Sequence, residues 1–329
     1  MNAFLMMQGA KKIVEVCTAV KPGEKVVIVT DSTLIEIADV LAAAAHEREA
    51  EVVIAVMAPT GVDGAEPPRA VVEAMKAADV AILPVSYSIS HSEGVREALA
   101  SGTRVAALSA FTKDMMVRGG IEADFPKLRP LCDAVAAAMG KAREAVLTTP
   151  AGTDVRLNLA GRPGNSHPCI VDRPGKYTAI PNVEANVSPV AAEGVIVFDG
   201  SIPNLRMGVV DAPVVIDVRG GSIVKISGGR QAAILRGIWE RTEDPSVYNI
   251  AQLAVGLNPH CTAFTGVFLN DHGAYGTVHI GIGTSAALGG TTQSAMHCDG
   301  MMYDPTLLLD GRAIVEHGRV VVDAVMAPA

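Results

Sequence analysis

The segment Met296-His297-Cys298-Asp299-Gly300 places an imidazole and a carboxylate two residues apart. Side chains on an extended strand alternate between faces, so His297 and Asp299 point the same way. A second imidazole, His279, precedes them in Gly276-Thr277-Val278-His279-Ile280-Gly281. Two imidazoles and a carboxylate within reach of one another form a donor set for a divalent transition metal. Five of the eight histidines (His260, His272, His279, His297 and His317) fall after position 255, so the search for chemistry centres there.

The competing reading of His297 and Asp299 is a surface histidine beside a solvated aspartate. Their apolar neighbours Met296, Met301 and Met302 argue for burial, and buried charges are paired or metal-bound. The preceding loop, Gly289-Gly290-Thr291-Thr292-Gln293-Ser294, offers spare hydroxyl and amide groups. A lone strand histidine is often a satisfied core residue, but nearness to the pair favours a ligand role for His279. His260 and His272 share a loop with Asp271 and read either as ligands or as partners that orient them. Exposure in the loop is the default for both, and His317 reads as a surface residue. Glu184, in Ile180-Pro181-Asn182-Val183-Glu184-Ala185-Asn186-Val187-Ser188-Pro189, has no local feature that separates it from an exposed strand residue. His91, in Tyr87-Ser88-Ile89-Ser90-His91-Ser92, follows a predicted strand at the edge where parallel sheets usually bind ligands. It reads as a proton-transfer group, or as part of a serine-capped helix start.

Two kinds of element must position these residues. Up to about residue 147, apolar runs alternate with helical patterns. Strands are predicted at 25–30, 52–56, 80–85 and 104–108, and helices at 33–48, 67–78, 92–100 and 126–145, with Asp31-Ser32 as a helix cap. Near-continuous apolar strands alternating with helices predict an α/β domain with a parallel sheet. No GxGxxG follows the first strand, which disfavours a dinucleotide site. From 148 to 329 glycine, proline and β-branched residues dominate. Strands at 154–159, 194–199, 213–218, 222–226, 251–256, 277–282, 306–309 and 319–323, with one helix near 229–241, predict a β-rich domain of sandwich or barrel type that carries the metal site and the catalysis.

The chain has 329 residues, 49% hydrophobic and 19% charged, which fits a folded globular protein. A net charge of −8 with no basic patch argues against nucleic acid or an anionic membrane as partner. Aromatic residues at 4% leave no stacking groove for bases. Five scattered cysteines without a CxxC pair fit a reducing cytoplasm. The opening MNAFLMMQGAKKIVEV reads as an amphipathic helix, and no run of eighteen apolar residues predicts a membrane span.

Together these residues resemble the thermophilic-type metallo-aminopeptidases (aminopeptidases T and S, often labelled leucyl aminopeptidase) and their relative, 2,5-dihydroxypyridine 5,6-dioxygenase. The resemblance covers nearly the whole chain and is best from about residue 180. It implies an α/β domain, a β-rich metal domain and a homodimer. PNVEANVSP followed by EGVIVFDGS aligns Glu184 with a metal-binding glutamate of the aminopeptidases. HIGIG aligns His279 with their strand histidine, and His297 and Asp299 match the His-x-Asp of both relatives. His91-Ser92-Glu93 resembles the dioxygenase's active-site histidine segment. Gln252 stands where the aminopeptidases place a bridging glutamate and the dioxygenase a ligand histidine. The tyrosine expected near Ala286 is absent.

The sequence expectation is one divalent ion, zinc or manganese ahead of iron(II), held by Glu184, His279, His297 and Asp299. Gln252 is a weak ligand or water-positioning group, and His91 a general acid or base. The expected reaction is metal-assisted hydrolysis of an amide-type C–N bond in a small or cyclic substrate. The alternatives are a ferrous ring-cleaving dioxygenase acting on a hydroxylated pyridine, an aminopeptidase, and a binding module without catalysis.

Overall fold

The computed structural model describes residues 3–323. The chain forms two compact units. One is the chain up to Pro126 with His167–Pro181, and the other is Lys127–Ser166 with the chain from Asn182 onward. These bounds differ from a single break after residue 147, because the segment around 177–179 returns to the first unit as a sheet strand.

The first unit holds a five-stranded sheet in the order Glu51–Met57, Lys25–Asp31, Val80–Leu83, Arg104–Ala107, Tyr177–Ala179, with every neighbouring pair parallel. Helices Ile35–Glu47, Arg69–Lys76 and Glu93–Ala100 connect the first four strands. The apolar runs end up as buried strands: Val26, Val27, Ile28, Val29 and all of Val80–Leu83 are buried. The N-terminal helix spans Ala3–Lys11 and continues as a π-helical turn, Lys12–Cys17; Met1 and Asn2 lie outside the described residues.

Asp31 does not cap the helix that follows it, which starts after Leu34 without a side-chain cap. Its carboxylate accepts from the Thr33 N–H (3.0 Å) and hydroxyl (2.5 Å), and from the Ser86 N–H (2.6 Å) and hydroxyl (2.7 Å). It thus ties together the carboxyl ends of two adjacent parallel strands. On the same loop system, the Glu66 carboxylate accepts from the N–H groups of Glu93 and Gly94, and the Ser92 hydroxyl accepts from Val95 N–H. The helix start beyond His91 is doubly capped.

The second unit is built from antiparallel sheets. An eight-stranded sheet runs Ser222–Gly228, Val214–Arg219, Ala191–Phe198, Asp154–Asn158, Glu144–Thr148, Thr306–Leu309, Arg312–Glu316, Arg319–Val320. A five-stranded sheet runs His297–Met302, Val278–Gly283, Ile250–Gly256, Glu184–Val187, Gly164–His167. The sheets meet where Phe198 of the first lies on Gly300 of the second, whose added Cβ would sit 2.2 Å from the ring. Residues 298, 300 and 302 therefore face the other sheet, and 297 and 299 face away from it. Among the described residues no helix is long and apolar enough to cross a membrane.

Burial raises the Asp31 pKa, but the Ser86 and Thr33 donors outweigh it and hold the carboxyl below its ordinary value of 3.8. A depressed folded pKa contributes stability above about pH 4, which is lost as pH falls through the folded value. Asp31→Asn is expected to cost about 1–3 kcal/mol at pH 7. The difference from the parent should shrink steadily below pH 4 in urea unfolding; a pH-independent difference would contradict this account.

Candidate metal centre

Strand register gathers the candidate residues onto one sheet face. Glu184 pairs with Gly256 and Asn186 with Ala254. Ala254 pairs in turn with His279, and Gln252 with Gly281. Gly281 pairs with Asp299 and Gly283 with His297. Directly opposed residues in antiparallel strands share a face, so Glu184, Asn186, Gln252, His279, His297 and Asp299 all project to the same side. The alternate positions Leu253, Val255, Ile280, Ile282, Cys298 and Met302 are buried on the other side.

Small residues make room for the large polar ones. A Cβ on Gly281 would lie 2.8 Å from Asp299 Oδ1, 2.8 Å from Gln252 Cβ and 2.9 Å from His297 Cε1. The Glu184 carboxylate accepts from three carboxamides: Asn182 (2.8 Å), Asn186 (2.7 Å) and Gln252 (3.3 Å). Its Oε2 lies 3.7 Å from His279 Nε2. Gln252 Nε2 is 3.3 Å from His279 Nε2, and its Oε1 is 3.2 Å from His297 Nε2. His297 Nε2 also meets Asp299 Oδ1 at 3.0 Å, while its Nδ1 donates to the Thr284 carbonyl at 2.8 Å.

The loop between the strands supplies one more imidazole. His272 ends the short helix Phe268–Gly273 and is 3% exposed, which corrects the expectation of an exposed loop residue. Its neighbour Asp271 accounts for the difference. That buried carboxylate accepts from the Thr265 N–H and hydroxyl, the Gly266 N–H, the Asn270 amide and the Ser201 hydroxyl, and so folds the loop inward. His272 Nδ1 donates to the Phe268 carbonyl at 2.7 Å and leaves Nε2 facing Asp299 Oδ2 at 3.1 Å. His260 and His317 are exposed. His91 belongs to the first compact unit, is exposed, and is not a member of this cluster.

The protonation pattern follows from burial and charge. Burial alone favours a neutral Asp299, but the charges of His297 and His272 outweigh it and hold the carboxyl well below the usual range. Burial pulls His297 down; Asp299, the Thr284 carbonyl and Glu184 reverse this and raise it to about 9. His272 is raised in the same way, with Asp299 overcoming burial. Burial and the neighbouring His272 push His279 down to about 4, so its ring is neutral at pH 7.

These residues fit a metal ion. His272 Nε2 and His279 Nδ1 are buried without a hydrogen-bond partner. His272 Nε2 is close to Asp299 yet off the hydrogen-bonding direction, as for two donors turned toward a common third atom. One ligand atom from each of His272, His279 and Asp299 lies within 4.8 Å of the others. Two imidazoles and a carboxylate are the donor set of non-haem ferrous centres.

The chain combines a two-unit α/β and antiparallel-β architecture with a buried His272, His279 and Asp299 cluster that could hold a metal ion. The chain belongs to the 2,5-dihydroxypyridine 5,6-dioxygenase family, NicX, whose sequence model matches residues 6–322. The 2,5-dihydroxypyridine 5,6-dioxygenase of Pseudomonas putida KT2440 is 26% identical over 259 residues, 75% of this chain and 72% of that protein. The solved 2,5-dihydroxypyridine dioxygenase of Pseudomonas putida KT2440 shares the fold, with a TM-score of 0.83 at 20% identity over 99% of this chain and 100% of that one. Wild-type AmpT from Thermus thermophilus also shares it, with a TM-score of 0.72 at 15% identity over 97% and 99% of the two chains.

The family overturns the expected amide hydrolase. Two imidazoles and a carboxylate can hold zinc in a hydrolase as well as iron in an oxygenase, so the correction rests on the family. The preference for zinc or manganese loses its basis along with the hydrolase.

The Gly281 cradle is testable. Gly281→Ala is expected to cost about 1–3 kcal/mol by overpacking, and to weaken metal binding because Asp299 and His297 must move. Urea unfolding and metal titration check this; wild-type values for both would refute the cradle.

Proposed function

We propose that this chain is a non-haem iron(II) dioxygenase that opens the ring of a hydroxylated pyridine, with 2,5-dihydroxypyridine the substrate to test first. The observation that carries the reading is the buried His272, His279 and Asp299 set in a chain of this family. The metal is assigned to those three residues, on the second compact unit, with His297 beside Asp299. When bound, ferrous iron supplies the one-electron and dioxygen chemistry that ring opening requires.

The chain's own residues do the rest. Asp299, held ionised, brings the negative charge that favours a divalent cation at this depth. The Phe268 carbonyl fixes the His272 ring so that Nε2 faces inward. Both Glu184 oxygens accept from carboxamides, and we assign Glu184 proton transfer at Oε2 in preference to a ligand position. A substrate hydroxyl that loses its proton needs such an acceptor. His297, with 18% of its side chain exposed, is the most open imidazole of the cluster, and its Nε2 is held by Asp299 and Gln252. A homodimer rests on the resemblance alone.

Ferrous-loaded protein is expected to consume dioxygen with 2,5-dihydroxypyridine, and Asp299→Asn to lose iron affinity by at least the roughly 10–100-fold seen when a metal site loses support. An oxygen electrode and iron titration read both; oxygen uptake that ignores iron, or none from loaded protein, would sink the reading. His91 keeps a separate acid–base assignment.

A further inference from the structure

The candidate ligands come from three elements: the Phe268–Gly273 helix (His272), the strand Val278–Gly283 (His279) and the edge strand His297–Met302 beside it (Asp299). The segment from Asp199 to Val209 bridges the helix and the edge strand. Toward the strand, Gly200 N–H donates to the Met301 carbonyl at 3.0 Å, and the Asp199 carboxylate accepts from Tyr303 N–H at 3.0 Å. Toward the loop, the Ser201 hydroxyl donates to Asp271 at 2.7 Å. The fit is close: a Cβ on Gly200 would meet the Phe264 ring at 2.4 Å and the Met301 carbonyl oxygen at 2.9 Å.

Asn204 sits at the tip of this bridge. Its Oδ1 accepts from Asp299 N–H at 2.8 Å, and its Nδ2 reaches the His297 carbonyl at 3.5 Å. The His297–Met302 strand is the outer strand of its sheet, so the outward N–H of Asp299 and C=O of His297 have no strand partner. One carboxamide supplies both a donor and an acceptor, as a neighbouring strand residue would. The following residues, Leu205 and Arg206, hold φ of 56° and 55°, the left-handed region that costs non-glycine residues of order 1–3 kcal/mol each. Two such residues in succession persist only where the surroundings over-determine them, and they curl the chain so that Asn204 faces the strand.

We propose that Asn204 is a positioning residue: through the backbone of His297 and Asp299 it fixes that pair against His272, and the 199–209 bridge sets the spacing of the centre. The proposal rests on the reading of this cluster as an iron site. Asn204 touches no reacting group; it acts through Asp299.

The test compares wild type, Asn204→Ala and Asn204→Asp, each prepared metal-free and titrated anaerobically with ferrous iron. Asp keeps the acceptor for Asp299 N–H and loses the donor to His297. The expected result is an iron affinity about tenfold weaker in Asn204→Ala, in line with residues that support metal ligands, with an altered nitric-oxide-adduct EPR signal and a metal-free melting temperature near that of wild type. Asn204→Asp should recover part of the affinity. An Asn204→Ala protein with wild-type affinity and EPR signal overturns the proposal. So does one whose metal-free melting temperature falls while bound iron keeps its wild-type signal, which marks a structural role only. If wild type itself binds no iron, the iron-site reading fails, an outcome separate from either of these.

Discussion

An ionised carboxylate buried on a sheet face cannot stay there alone. Asp299 is almost wholly buried, and its charge is tolerable only because imidazoles from two directions face it. Much of the second unit serves that requirement. Gly281 leaves the space, Gly300 lets the Phe198 ring pack behind the strand, and the Asp271 network turns the loop inward so that His272 arrives. Glu184 meets the same requirement differently, through three neutral carboxamides. The two carboxylates therefore differ in character. One is matched by groups that can give up their protons to a metal, the other by groups that cannot.

The parallel sheet and most of the β-rich unit were legible because their signals are local. An apolar run such as Val80-Ala81-Ile82-Leu83 is its own evidence for a buried strand. Tyr177–Ala179 was not legible, since it is three residues long, only partly apolar, and joins a sheet whose other strands lie far earlier in the chain. On the candidate site, period-two alternation was enough to set His297 and Asp299 on one face. The same alternation runs through Asn182, Glu184, Asn186 and Ser188, and would have marked Glu184 as part of a polar stripe.

His272 was named as a possible ligand but left exposed by default, because its burial is decided by Asp271 and Ser201, and Ser201 lies seventy residues from Asp271 in the chain. The choice between hydrolase and dioxygenase was not legible either. Histidine, glutamate and aspartate serve both chemistries, and what separates them here is the family. The loop geometry that delivers His272 is a tertiary fact, and no spacing rule encodes it.

Gln252 has a consequence for how charge can move on this face. Its amide spans the space between Glu184 and His279 on one side and His297 on the other. A carboxylic acid or an imidazole in that position would complete a wire along which a proton could hop. A carboxamide donates and accepts, yet it neither gains nor loses a proton in the range where the others titrate. It couples Glu184 and His297 electrostatically without itself passing a proton between them.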